Sequence, residues 1–301
     1  MSEMDSVEAA AAPAPVVTAD PVEILDGVYV IPDGRVPLVP NVGIVLGDRL
    51  ALVVDTGMGP TSGARVLEHA RELAGDRPLL LTVTHFHPEH GFGAQVFEEA
   101  ALVVYNREQR DELRLKGAGY IEMFKGIFGE HVVTALEGVE LIDPHEVYDG
   151  ETEIDVGGHV VTLRTFGRAH TGGDQVVIVD GSVLFGGDLF ETRMFPIVPY
   201  FPPDDVDVDG SAWIAVLDEL LALAPDVVVP GHGEVTDATL IRDVRDYLAY
   251  IRDEATRLKA AGASEDEAVA EIEPAALARW SDWDNPEWIG FAVRCFYAEA
   301  E

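Results

Sequence analysis

Residues 84–93 read THFHPEHGFG, with three histidines and a glutamate inside six positions, directly after the apolar run LLLTV. The run reads as a buried strand over 79–83, so the histidines begin where a strand ends. On extended backbone, residues two apart point to the same side, so His85 and His87 can grip one metal ion. Pro88 then turns the chain out of extension, and Glu89 and His90 can face a second ion. Imidazole nitrogen and carboxylate oxygen are donors that zinc and iron both accept.

Working outward, the same punctuation recurs. Upstream, GVYVIP, NVGIVLG and LALVVD read as short strands, the last ending at Asp55 before the glycine-rich turn TGMGPTSG and a helix over about 62–73. Downstream come a short helix, the strand ALVVY and a helical stretch over about 107–128. Hairpins are expected at Gly157-Gly158 and Asp180-Gly181. A helix follows over about 211–223, then the strand DVVVP, ending at Gly231-His232-Gly233. From about residue 236 apolar residues recur in threes and fours, and Ser264 with Glu267 forms a capping box for a further helix. Residues 1–20, acidic and rich in alanine and proline, read as a disordered tail. This pattern of strands, helix, strand and helices, twice over, predicts an α/β fold of two packed sheets with helices outside.

Five of the nine histidines sit in glycine-containing loops just past an apolar strand: His85, His87, His90, His170 and His232. Asp55 and Asp188 hold equivalent positions, and strand ends are where side chains converge on a site in such folds. His69, in a helix, and His131, His145 and His159 lack ligand neighbours and read as surface residues. Asp55 could cap the following helix or hydrogen-bond a ligand histidine.

The bulk numbers narrow the function classes. Against 55 acidic residues there are 20 basic ones, for a net charge of −35. Such a surface repels nucleic acid and anionic membrane; it serves solubility, or draws in cationic substrates. The single cysteine, Cys295, excludes an intramolecular disulfide and a cysteine-rich zinc site, and it reads as a core residue. No signal peptide and no membrane span are recognised, so a cytoplasmic protein is expected.

In five ordered pieces, namely Asp55, the HFHPEH run, His170 in AHTGGD, Asp188 in GGD and His232 in PGHG, the chain resembles the metallo-β-lactamase-fold hydrolases over about residues 22–260. The resemblance implies an αββα sandwich over 21–260, followed by a C-terminal helical extension over 261–301. It also implies two metals, zinc or a zinc and iron mixture: one on His85, His87 and His170, the other on Glu89, His90 and His232, with Asp188 bridging. An aspartate at 188 is similar to glyoxalase II-like thioesterases and lactonases rather than to true β-lactamases. The usual motif has aspartate at position 89. Glutamate keeps the charge and adds a methylene, about 1.5 Å of reach. Either the loop sits further back and Glu89 still ligates, or Glu89 retreats and the second site weakens; the first is favoured because His90, Asp188 and His232 remain.

The implied chemistry is a dinuclear hydrolase, with Asp188 and Glu89 in catalytic positions. Two ions about 3.5–4 Å apart acidify a shared water, and the resulting hydroxide cleaves an ester, thioester, lactone or amide of a small molecule. No GxSxG serine elbow is present. A polyketide cyclase with thioesterase activity, or a single-iron dioxygenase acting on sulfur compounds, are the alternatives on this fold. The segment RMFPIVPYFPPDD (193–205) offers a rigid apolar wall, with Tyr200 as the candidate substrate contact. Tyr120, Phe124 and Phe128, at helical spacing, read as core. For WSDWDNPEW (280–288) three readings stand: closing the pocket, making a homodimer contact, or packing.

Overall fold

The computed structural model describes residues 14–203 and 205–300. Seven strands form the first sheet in chain order: β1 (Val22–Leu25), β2 (Val28–Ile31), β3 (Val42–Leu46), β4 (Ala51–Val54), β5 (Leu79–Thr82), β6 (Ala101–Asn106) and β7 (Glu146–Tyr148). Pairing is antiparallel from β1 to β4 and parallel from β4 to β7. The second sheet holds β8 (Glu151–Asp155), β9 (Val160–Thr165), β10 (Gln175–Val179), β11 (Val183–Phe185) and β12 (Val227–Val229) in reverse order, with β11 and β12 parallel. Both expected hairpins are present, as β8–β9 and β10–β11.

Side-chain alternation shows why two sheets form. In β4, Leu52 and Val54 face the interior between the sheets, while Ala51 and Val53 face the opposite way. In β10, Val177 and Val179 enter that same interior, and Val176 points to the other side. Helices cover both outer faces. On the first sheet α1 (Gly59–Ala74) buries Val66, Ala70 and Ala74. After β5 come the one-turn α2 (Pro88–Gly91), α3 (Arg107–Phe128) and α4 (Glu130–Ala135). The second sheet is covered by α5 (Gly210–Leu223) and α6 (Thr239–Ala260), and α7 (Glu265–Arg279) and α8 (Ile289–Glu299) pack into the same apolar cluster, which includes Cys295. The Ser264–Glu267 capping box is formed at the start of α7. The architecture is the expected αββα sandwich with added C-terminal helices.

Two expectations need correction. Of the tail assigned to residues 1–20, residues 1–13 lie outside the described residues, but Val17 is buried and its N–H donates to Ser62 Oγ at 3.2 Å. An apolar residue among acids and alanines was enough to dock that segment on α1. His69, taken for a surface residue, is buried on the inner face of α1.

The parallel strands set up the site. The carboxyl ends of β4, β5, β11 and β12 open toward one edge of the sandwich, which brings the loops after them together. Close packing behind them requires glycine: a Cβ on Gly63 of α1 would stand 2.2 Å from the Gly93 carbonyl oxygen, so α1 can approach the histidine loop only without one.

Candidate metal centre

Asp55, at the end of β4, takes a left-handed backbone conformation (φ 68°), one of the few non-glycine residues to do so. Aspartate tolerates this conformation better than most residues. The turn places its carboxylate beneath the histidine loop. Oδ1 accepts the Thr84 N–H at 2.6 Å; Oδ2 accepts the Thr84 hydroxyl at 2.9 Å and lies 2.8 Å from His90 Nδ1. With Nδ1 held by the carboxylate, Nε2 is the nitrogen that His90 turns toward Asp188. His232 is fixed the same way: Nδ1 donates to the Val39 carbonyl at 2.8 Å, which turns Nε2 inward. The structure thus places Asp55 beneath a site histidine, and Asp55 accepts no hydrogen bond from α1.

Two groups of donors result. In the first, His87 Nδ1 stands 3.1 Å from His85 Nε2 and 3.0 Å from His170 Nε2. In the second, donor atoms of Glu89, His90, Asp188 and His232 all lie within 4.8 Å of one another. Asp188 faces both. Its Oδ1 is 3.1 Å from His90 Nε2 and 3.7 Å from His232 Nε2, and its Oδ2 is 4.0 Å from His85 Nε2 and 3.9 Å from His170 Nε2. Gly231 is needed beside it, because a Cβ there would sit 1.9 Å from Asp188 Oδ1.

The donor set fits metal ions. Bonds of about 2.0–2.1 Å to a tetrahedral ion separate nitrogens by about 3.3 Å, close to the spacing in the histidine trio. In the second group Glu89 Oε2, His90 Nε2 and Asp188 Oδ1 are buried without a hydrogen-bond partner. Buried polar atoms left so are costly unless something else meets them. Burial, with the neighbouring imidazoles adding, lowers His85 and His87 well below the usual histidine range, and it lowers His170 to about 4; all three keep their lone pairs at neutral pH. Burial also opposes charge on His90, but Asp188 and Asp55 outweigh it and raise that group well above its ordinary value. On Asp188 the balance is similar: burial raises it, while His90 and His232 hold it well below the carboxylate range. Burial pushes Glu89 up to about 7.

A cavity of about 600 Å³ opens over this floor. Its wall is built by Leu38, Tyr120, Met123, Phe124, Phe201 and Phe291, among others. Tyr120 is both core and wall: its ring stacks on His87 with centroids 5.0 Å apart, and its hydroxyl donates to Asp205 Oδ2 at 2.6 Å. Phe124 and Phe128 pack in the apolar cluster that their spacing suggested and also line the cavity. Tyr200 does not. Its N–H bonds back to the Val198 carbonyl at 2.7 Å, and the tight turn sends the side chain onto the helical core, leaving Pro199 and Phe201 on the cavity. The Trp-rich segment divides: Trp280 and Trp283 pack on Tyr247, while Asp284, Asn285 and Trp288 border the cavity.

Sequence reasoning missed Glu191. It is buried on the cavity wall, three residues past Asp188, and burial with the Asp188 charge pushes its carboxyl well above the usual range. The signal was a charged residue inside the apolar stretch after GGD. The loop Asp33–Asn41 was missed as well: Asn41 Nδ2 donates to the Pro230 and Gly233 carbonyls at 3.0 and 2.8 Å, which ties that loop to His232.

These features define a two-sheet scaffold with two groups of candidate metal ligands at the strand ends. The sequence model of the Metallo-beta-lactamase superfamily matches residues 35–232, and the chain belongs to that superfamily. A linear primary-alkylsulfatase from Pseudomonas sp. is 26% identical over 267 residues, covering 77% of this chain and 50% of that protein. The acyl-coenzyme A thioesterase MBLAC2 of Gallus gallus is 28% identical over 224 residues, 69% of this chain and 78% of that one. Among solved structures, the inverting sec-alkylsulfatase Pisa1 from Pseudomonas sp. superposes with a TM-score of 0.71 at 18% identity, over 93% of this chain and 50% of that one. A metallo-beta-lactamase superfamily protein of Sulfolobus tokodaii gives 0.57 at 22% identity, over 74% of this chain and 86% of that one. The chain therefore spans about half the length of the alkylsulfatases, and the structural matches speak for the fold. No described helix is long and apolar enough to cross a membrane.

Proposed function

We propose that the chain is a metal-dependent hydrolase that cleaves an ester, thioester, lactone or amide bond of a small molecule. The observation that carries this is the pair of buried donor groups joined by Asp188 at the floor of an apolar cavity. His85, His87 and His170 would hold one ion, and Glu89, His90 and His232 the other, with Asp188 shared. Bound divalent ions supply a polarised carbonyl and a water acidified toward neutral pH. Zinc is the first candidate, and iron or a zinc and iron mixture suits the same nitrogen and oxygen donors.

The chain's own residues do the rest. The apolar wall binds the substrate and keeps bulk water from the scissile bond, which strengthens every charge interaction at the floor. Asp55 and the Val39 carbonyl fix the tautomers of His90 and His232. Asp188, held ionised beside His90 and His232, keeps a fixed negative charge facing both donor groups. Relatives that carry thioesterase and alkylsulfatase names support bond hydrolysis as the reaction type.

The test is metal content per chain on protein expressed without supplementation, followed by a thioester and lactone screen. Two equivalents of zinc, or of zinc and iron, with turnover that chelation removes and metal restores, are expected. A single iron and no hydrolysis would overturn the proposal in favour of the dioxygenase.

A further inference from the structure

Beyond the donor groups, the ionisable side chains bordering the cavity are mostly acidic: Asp33, Glu191, Asp284 and Glu287, against Arg35 and the imidazole of His131. Arg35 is already engaged. Its Nε and Nη2 grip both oxygens of Glu234 at 2.8 and 2.6 Å, Nη1 holds Asp284 at 2.8 Å, and Nη2 also reaches the Thr192 carbonyl at 3.0 Å. Arg193 touches Glu234 from outside the cavity at 3.4 Å, so the cluster of two guanidiniums and two carboxylates is neutral. Among the described residues, Asp33 and Glu287 have no cation within 4.0 Å. Behind the wall the balance is the same. Lys116, beneath Phe86, is taken by Glu112, Asp205 and Asp207 at 2.9, 3.1 and 2.9 Å, and Arg168 pairs with Asp207 at 2.7 Å, so both cations there are engaged by three acids. Even with Glu191 protonated, the walls carry no spare positive charge to meet an anion, and the whole chain carries −35.

The wall's apolar residues fill the opposite requirement. A volume of about 600 Å³ lies in the range that takes a drug-sized ligand, and its lining of aromatic, leucine and methionine side chains suits an alkyl or aryl acyl group. Resting on the hydrolase reading above, we propose that this cavity takes an apolar acyl group carried on a neutral or cationic leaving group, and discriminates against polyanionic carriers such as coenzyme A. Ions at the floor would meet the carbonyl; the walls meet the rest of the molecule, and there the field is negative. In the reaction, water adds across the carbonyl carbon–sulfur or carbon–oxygen bond, which releases a carboxylic acid and a thiol or alcohol.

Three substrates with the same octanoyl group and the same thioester bond isolate the charge: octanoyl-thiocholine (cationic), octanoyl-N-acetylcysteamine (neutral) and octanoyl-coenzyme A (polyanionic). With the metal-loaded full chain at about 50 mM salt, kcat/KM for the first two should exceed that for the third by about tenfold or more. Raising salt to about 500 mM should narrow the gap, with the thiocholine ester slowing and the coenzyme A ester gaining. The exposed Glu287→Lys variant should shift the ratio several-fold toward coenzyme A. Preference for the coenzyme A ester, or a ratio that neither salt nor this variant moves, would overturn the inference and leave the hydrolase standing. No turnover of any of the three would overturn both.

Discussion

In one half of the candidate metal centre, His87 stacks on Tyr120 and His170 meets the edge of Trp213 with centroids 5.4 Å apart, while in the other half His90 hangs on Asp55 and His232 on the Val39 carbonyl. The first trio is nearly sealed from solvent; in the second, His232 keeps some exposure. Packing orients neutral rings without adding charge, so the trio stays a set of lone pairs. In the second half the charges of Asp188 and Asp55 outweigh burial, which is why His90 stands well above its ordinary pKa while His85 and His87 of the trio stand well below theirs. The trio is held largely by ring packing, with His85 Nδ1 also 3.2 Å from the Thr84 hydroxyl, whereas His90 and His232 are held by a carboxylate and a backbone carbonyl. The two should fail in different ways.

The largest effect belongs to the residue they share. Asp188→Asn keeps the shape but removes the charge that faces both groups. Turnover on a thioester substrate should fall on the order of 10³-fold, several kcal/mol of charge stabilisation at 1.36 kcal/mol per decade. Metal content by elemental analysis should drop in both halves. Retained turnover with two equivalents bound would mean that Asp188 joins nothing.

Asp55→Asn separates the halves. Asparagine tolerates the left-handed backbone, so the turn should survive. The His90 anchor weakens, and affinity for one of the two equivalents should fall about 10–100-fold, the usual cost of losing such a partner. The other equivalent should stay. Equal loss of both, measured by competition with a chelator, would show that Asp55 supports the whole loop through Thr84 and would erase the distinction.

Tyr120→Phe probes the packed half. The ring stack on His87 remains, but Asp205 loses the hydroxyl that meets Oδ2. The expected cost is about 1–2 kcal/mol of unfolding free energy by urea titration, with metal content unchanged. Loss of an ion in this variant would show that the trio depends on the Tyr120–Asp205 hydrogen bond as well as on the ring stack.

How far the sequence could carry these statements depends on whether a residue's direction follows from its neighbours along the chain. The two-sheet fold was readable from the order of strands and helices, although β4 and β10 are apolar on both faces and do not alternate in sequence. Donor residues placed just past strands were readable too, because parallel strands deliver their ends to one edge. The direction of Tyr200 depends on a turn at Val198 that no period marks, and Phe201 rather than Tyr200 borders the cavity. His69 shows the converse: its helix was readable, but its burial depends on what packs against that face. Glu191 and the Asp33–Asn41 loop reach the cavity only through contacts between residues distant in the chain, as Asn41 to Gly233 illustrates. The charge of Glu191 inside an apolar stretch marks the residue, but nothing local says which cavity it borders.

Glu89→Asp carries the smallest expected effect and the sharpest question about the second half. The shorter side chain withdraws the carboxylate by about 1.5 Å, one methylene. Were Glu89 the anchor of that half, the ion would leave. His90, Asp188 and His232 are each aimed independently of position 89, two by hydrogen bonds on their outer nitrogens and one by the close packing of Gly231. The ion should therefore remain at saturating metal, with affinity for that equivalent weakened by about tenfold at most, or 1.4 kcal/mol. Occupancy falling to one equivalent would mean that the loop is set back to suit a glutamate, and that its length, more than the hydrogen-bonded anchors, decides whether the second ion binds.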